Sequence, residues 1–399
     1  MKKIIFLSAL DFKEKSIQVI RKTPEAYANA GWDVDYVVAR DNLESGNYSY
    51  EREINPPGVN VVRFYWPLPR LRNMFGRFSR LIFSKISSIW VVVRLAFFAY
   101  KLVKKKEHDI VYGYELHGVL AMNLLKLLLP DGIRYVSRFQ GTFLNEMLER
   151  RQYLRIIFNL DLVCAIYLNS SLLIMTDDGT QGDEAVKKIK GSKEYRMVFW
   201  PNGVDHFPAL DREKGEKTWV FVSVSRLVEW KRVDRCLRAL HELRNIGFDD
   251  FVYFLVGDGG ERSYLETLTS DLGLEDNVRF VGAVSHSDAI NHMLRSDFFL
   301  SMYDSSNVGN PLLEAVRLNK LIVTLNNGDT YKWISHKLNG LIYSPHSINY
   351  LEIARDIYGL IQDSDARACL KKNLQNTETE KLWTWEERLN AEVDLLNKL

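Results

Sequence analysis

Short apolar runs alternate with longer amphipathic ones along the whole chain. In the first half, KIIFLSA, WDVDYVVA, VNVVRFY, HDIVYGYE, IRYVSRF and SLLIMTD read as strands. In the second half, WVFVSVSRL, FVYFLVGDG, VRFVGAV, DFFLSMYD and KLIVTLNN do the same. Helical spacing fills the intervals, so the expected class is α/β, with parallel sheets covered by helices. The stretch PNGVDHFPALDREKGEK, residues 201–217, is rich in proline, glycine and charge and reads as a linker. The pattern therefore predicts two doubly wound, Rossmann-like domains, 1–205 and 206–380, and a closing helix over 381–399. Thr384 and Glu387 stand at capping-box spacing at the start of that helix. Sheets of this kind bind ligands beyond the carboxyl ends of their strands, which places the expected ligand in a cleft between the domains.

Composition narrows the classes of function. The chain has 399 residues and a formal net charge of +2, enough material for more than one core and too little excess charge for a dedicated nucleic-acid binder. Cys164, Cys236 and Cys369 lie far apart, with no CxxC or Cys/His spacing, so neither a disulfide framework nor a zinc site is expected. The start MKKIIFLSAL has an apolar run too short for a signal segment and reads as a first strand.

Two stretches carry candidate chemistry. In DSSNVGNPLLEA, residues 304–315, Asn310 is a good N-cap, Pro311 suits the first helical position, and Leu312, Leu313, Ala315 and Val316 continue as buried helix. The N–H groups of that end and the helix dipole make an anion site, and Gly309 permits close approach. Glu314, one turn in, is placed to accept hydrogen bonds from a hydroxyl beside the anion, a combination that suggests a nucleotide. The alternative is an ordinary capped helix with a dipole-stabilised glutamate. In SRLVEWKRVD, Arg226 and Lys231 follow a strand's carboxyl end, where paired cations stabilise a departing diphosphate, unless they are solvated surface cations. The nearby VGDGGE, with Gly257, Gly259 and Gly260, is a tight strand-to-helix turn and a weak signal alone.

Taken in order, NGVDHF, SRLVEWKRVD, LVGDGGE, VRFVGAV, SDFFLSMYDSSNVGNPLLEA, NNGD, NGLIY and a terminal WTWEE closely resemble the carboxyl half of family 4 glycosyltransferases of the GT-B fold, over residues 200–399. The resemblance implies a nucleotide-sugar donor in the carboxyl domain, an acceptor in the amino domain, a closing helix 381–399 that returns to the amino-terminal domain, and transfer with retained anomeric configuration and no bound metal or other cofactor. It makes Arg226 and Lys231 the diphosphate clamp, the Gly309 and Asn310 amides a further phosphate contact with Pro311 and Leu312 beside them, and Glu314 the ribose ligand. The nucleobase is expected near Gly282 to Ser285. Three departures stand out. Ser306 occupies the place of the first glutamate of the family's E-x7-E motif, so either Asp304 swings in or the backbone and Asn307 hold the sugar. The amino-terminal glycine pair is absent, leaving Lys13 or Lys15 as substitute cations or as solvated loop residues. Gln140 stands where the family often has histidine. Glu115 and His117, in GYELHG, follow another strand and are candidate acceptor contacts with Gln140, His117 alternatively being a satisfied structural histidine.

From Arg63 to Lys106 there are eleven basic and no acidic residues, interleaved with aromatic ones. The apolar segment ISSIWVVVRLAFFAY is interrupted by Arg94 and falls short of the ~20 residues of a membrane span. It fits an interfacial helix on an anionic membrane, a helix packed on the sheet with snorkelling cations, or a nucleic-acid patch, which no accompanying module supports. The reading that results is a retaining glycosyltransferase using a UDP- or GDP-sugar and a glycan or polyisoprenyl-linked saccharide acceptor for surface polysaccharide or glycolipid synthesis. Its expected place is cytoplasmic, peripheral on the membrane, with no nucleic-acid partner. The alternatives are a catalytically impaired binder of sugar nucleotide or glycan, and a nucleotide-sugar epimerase.

Overall fold

The computed structural model describes residues 1–12, 19–41, 54–66, 77–208 and 218–399. Lys13, Lys15 and most of the linker lie outside the described residues. Two compact units emerge. The first comprises Met1–Asp177, Gln181–Asn202 and Glu386–Leu399, and the second Asp178–Thr180 and Gly203–Trp385.

The first unit is built on β1 (Lys3–Ser8), β2 (Asp33–Asp41), β3 (Val59–Trp66), β4 (Ile110–Tyr114), β5 (Arg134–Phe139), β6 (Leu172–Thr176) and β7 (Met197–Trp200). They form one parallel sheet in the order β3-β2-β1-β4-β5-β6-β7. Strands β4 and β6 are buried along their whole length, as expected where helices cover both faces. The helix Arg77–Lys106 lays Val91, Leu95, Ala99 and Val103 into this core. Their spacing of four residues is one helical face, and each large aliphatic side chain buried there stabilises by about 1.5–3 kcal/mol.

The second unit repeats the plan with β8 (Trp219–Val224), β9 (Phe251–Val256), β10 (Val278–Gly282), β11 (Phe298–Ser301), β12 (Leu321–Leu325) and β13 (Leu341–Tyr343). The order is β10-β9-β8-β11-β12-β13, again all parallel. In both sheets the order reverses between the first and fourth strands. Loops leaving those two strands diverge and open a crevice at their carboxyl ends, the place where doubly wound sheets take ligands.

The short strands β7 and β13 do not stand out in the sequence pattern. Both are sheet edges of four and three residues, and β7 is only half-buried, so neither makes an apolar run long enough to register.

Candidate functional site

In the second unit the reversal lies between β8 and β11, and most of the expected site residues leave these two strands. After β8 the loop Ser225–Val228 carries Arg226 into a 3-10 turn, Glu229–Lys231. Backbone hydrogen bonds hold this loop from both sides: Ser225 N–H donates to Val256 O (3.0 Å), Leu227 N–H to Asp258 O (3.0 Å), and Glu261 N–H to Leu227 O (3.0 Å). The glycines of VGDGGE make this possible. A Cβ on Gly257, whose φ is +133°, would stand 1.9 Å from Ser225 O, and one on Gly259 2.2 Å from Leu227 O. That motif therefore fixes the Arg226 loop by close backbone approach.

Lys231 is the unusual group. Its Nζ lies 4.0 Å from the Trp230 ring centroid and 3.6 Å from that of Tyr303. Burial, and after it the charge of Arg226, pull its pKa from 10.5 down to about 7, with Asp178 acting in the opposite direction. Among the described residues no carboxylate reaches ion-pair distance of Lys231 Nζ. A desolvated lysine beside an arginine is an electrostatic debt that an arriving anion would discharge.

The loop after β11 corrects several expectations. The helix Asn310–Arg317 begins one residue earlier than its sequence suggests, with Gly309 as N-cap and Pro311 in the second helical position. The Gly309 N–H, expected to meet a phosphate, donates here to Asn307 O (3.0 Å). Asn307 is buried and ties the loop together: its Oδ1 accepts from Tyr303 N–H (3.0 Å) and its Nδ2 donates to Leu325 O (3.1 Å). Its side-chain amide is engaged by the loop at both ends, where a sugar contact was expected. The Leu312 side chain lies in the core with Val308 and Val316, which leaves only its amide at the helix mouth.

Glu314 is buried, and its Oε1 lies 2.8 Å from His286 Nε2. His286 opens the helix His286–Arg295, whose N-cap Ser285 accepts from Asp288 N–H at 3.2 Å. This histidine was not singled out in the sequence. A polar SHSD at a helix start looks like capping alone, and only the fold brings it to Glu314. Gly282, at the end of β10, accepts from Gly257 N–H (2.9 Å), so the expected nucleobase loop is tied to the glycine turn.

Asp304, expected as one possible substitute for the first glutamate of the E-x7-E motif, is engaged by two arginines. Its carboxylate is 2.6 Å from Arg235 and 3.3 Å from Arg232, and its N–H donates to Trp230 O at 2.9 Å. Ser306 is equally committed. Its hydroxyl donates to Asp178 O (2.7 Å) and accepts from Val308 N–H (3.0 Å).

In the first unit Glu115, His117 and Gln140 stand at the carboxyl ends of β4 and β5. Glu115 Oε1 accepts from Gln140 N–H (2.6 Å), and the Gln140 amide donates to the Tyr114 hydroxyl. Glu115 has a φ of +58°, a strained backbone of a kind that collects at functional sites. His117 turns instead to the long helix, with Nε2 2.8 Å from Ser88 Oγ, and burial lowers its pKa. A second network in this unit was invisible in the sequence. Arg138 and Glu392, both fully buried, pair at 2.5 Å, and Arg388, Tyr112 and Tyr27 complete the cluster around Glu392.

The basic segment also departs from expectation. Its helix is continuous over Arg77–Lys106, and Ile82–Lys106 is long and apolar enough, by length and composition, to cross a membrane, although one face is packed in the core. The opposite face exposes Ile82, Ile86, Ile89, Val93 and Phe97. A groove of about 340 Å³ runs beside it, lined by Ser88, Ile89, Val92, Ile157, Phe158 and Leu160. Several of its cations are already engaged: Lys85 pairs with Asp161 (2.7 Å), Lys106 with Asp33 and Asp35 (3.1 and 3.0 Å), and Arg94 lies 4.9 Å from the Phe98 ring.

The crevice loops of the second unit coincide with a known pattern. Residues 210–377 match the family model of glycosyl transferases, group 1. The matched segment contains Arg226, Lys231, His286 and Glu314. Lipopolysaccharide core biosynthesis glycosyltransferase LpsE of Rhizobium meliloti is 26% identical over 198 residues, 49% of this chain and 55% of that protein. The chain spans about half or less of the length of the curated relatives it matches. Likeness of fold extends further. Sucrose-phosphate synthase from Thermosynechococcus elongatus aligns with a TM-score of 0.74 at 16% identity, covering 100% of this chain and 99% of that one. HepE of Anabaena, solved with UDP-glucose, aligns at 0.69 with 18% identity and full coverage of both chains. The fold is therefore GT-B, with two Rossmann-like domains.

Proposed function

We propose that this protein is a glycosyltransferase that moves a sugar from a nucleotide-sugar donor to a glycan or lipid-linked saccharide, with retention and without a metal. The observation that carries this reading is the desolvated Lys231 beside Arg226 at the carboxyl end of β8, with no carboxylate at ion-pair distance of the lysine among the described residues. Diphosphate is the ligand whose charge fits it, and the amides of the first turn of the helix Asn310–Arg317 add to the clamp. Glu314, oriented by His286, accepts the ribose hydroxyls. As the bond between the anomeric carbon and the phosphate oxygen breaks, these groups take up the growing negative charge. The acceptor oxygen attacks on the same face, and its proton passes to the departing phosphate. The match to group 1 glycosyl transferases and the likeness to HepE, solved with UDP-glucose, support the donor class.

The acceptor belongs on the first unit, near Glu115 and Gln140. The relative named for lipopolysaccharide core biosynthesis favours a lipid-anchored acceptor. So does the outward apolar face of the helix Arg77–Lys106, which in this reading rests on the cytoplasmic face of an anionic membrane, with Lys101, Lys104 and Lys105 toward the lipid headgroups.

The direct test is thermal stabilisation by a panel of UDP-, GDP-, ADP- and dTDP-sugars, followed by donor hydrolysis without acceptor. One sugar nucleotide should raise the midpoint and be slowly hydrolysed, and Glu314→Ala should lose both responses. Full activity of that variant would refute the site, and a free epimerised sugar nucleotide would refute transfer.

A further inference from the structure

Residues Asp178–Thr180 follow β6 of the first unit, yet they are built into the second. They are sewn to the loop between β11 and the helix Asn310–Arg317 and to the loop after β12. The Asp178 carbonyl accepts the Ser306 hydroxyl (2.7 Å), and the Gly179 carbonyl accepts Asp329 N–H (3.0 Å). Gly179 has a φ of +75°, and a Cβ there would stand 2.1 Å from Ser306 Oγ and 2.7 Å from Val308 Cβ. The space around the Ser306 side chain is thus filled by this segment. A glutamate at position 306 would have to displace it.

The same segment carries a carboxylate. Asp178 Oδ1 accepts from Thr180 N–H (3.1 Å) and Thr180 Oγ1 (2.5 Å), a tight turn that fixes its orientation. Asp178 also acts on Lys231, where Arg226 is the other charged group felt and the Trp230 and Tyr303 rings form the walls. Asp304, the alternative acid on the β11 loop, is held by Arg235 and Arg232.

We propose that Asp178 is the carboxylate of the donor site, delivered by residues 178–180 to the place where Ser306 has removed one, and that it contacts the donor sugar beside the diphosphate clamp. This rests on the donor-site reading above. A carboxylate there accepts hydrogen bonds from sugar hydroxyls and stabilises positive charge that builds on the anomeric carbon as the leaving group departs. Ser306 is then a positioning residue, which holds the peptide that bears the acid.

The test uses the full chain and the sugar nucleotide selected by the panel. Asp178→Asn keeps an acceptor for the Thr180 turn and removes the negative charge. It should lower kcat for donor hydrolysis by tenfold or more with a smaller change in KM. It should also move the pH midpoint of donor binding down, because Lys231 loses the charge that favours its protonation. Ser306→Ala should lower kcat less and leave that midpoint unchanged, and Ser306→Glu should not raise activity. An Asp178→Asn variant with wild-type kcat and midpoint would overturn the assignment while leaving the donor site intact. Failure of the wild type to bind any sugar nucleotide would sink both.

Discussion

The pKa of Lys231 near 7 gives the donor site a proton signature that can be measured without any acceptor. A bound diphosphate favours the charged lysine, so a site that is half neutral before binding must take up a proton to bind. With a midpoint of about 7, about one lysine in ten is charged at pH 8 and about nine in ten at pH 6. If the complex keeps the lysine fully charged, donor affinity should fall about tenfold from pH 6 to pH 8, close to 1.4 kcal/mol. About 0.9 proton should be taken up per donor at pH 8 and about 0.1 at pH 6. Calorimetry of a sugar nucleotide in two buffers of different ionisation heat reads this number directly. The diphosphate diester has no proton of its own to exchange in that range. Lys231→Arg keeps a charge that does not titrate and should abolish both the uptake and the pH slope. Tight binding by the wild type with less than about 0.2 proton taken up at pH 8 would refute the argument, since an ordinary lysine would already be charged. In the unliganded protein the sign is the reverse of a salt-bridged lysine. Between pH 7 and 10.5 the unfolded chain holds a proton that the folded site does not, so this group's contribution to stability improves as pH rises through that window.

Two further outcomes follow from the first unit. Burial alone would raise the pKa of Glu392, but Arg138, Arg388 and Tyr112 hold it below its usual value. Glu392→Gln would leave two buried guanidinium groups without a counterion, and urea unfolding should show a loss of about 3–5 kcal/mol; a loss under about 1 kcal/mol would remove the network from any account of stability. The membrane reading is checked by sedimentation with vesicles: the wild type should partition onto anionic vesicles more than onto neutral ones, and Ile86→Asp with Ile89→Asp should weaken it at least tenfold while donor binding stays unchanged. Equal partitioning of wild type and variant would refute the role of that helix face.

What the sequence discloses follows the physics of each signal. Strands β4, β6 and β12 are buried on both faces and write themselves as continuous apolar runs. Arg226 and Lys231 could be placed side by side from the sequence because both directly follow the apolar run that becomes β8. Asn307 shows the converse: an amide in a loop looks the same in sequence whether it binds a ligand or its own backbone, and here it bridges Tyr303 and Leu325. The His286–Glu314 and Ser306–Asp178 contacts were hidden because they depend on pairs 28 and 128 residues apart, which no local pattern encodes.

The Arg138–Glu392 pair carries a consequence for the order of synthesis. The first unit takes segments from both sides of the second in the sequence, and its central ion pair joins residues 254 positions apart. At about 5–20 residues per second, the arginine waits roughly 13 to 50 s on the ribosome for its counterion. During that interval the interior of the first unit holds a guanidinium with no acid, while the second unit has every segment it needs before the last helix emerges. The first unit is therefore completed only after the second, and a chain stopped before Glu386 should give a second unit that folds and a first unit that does not.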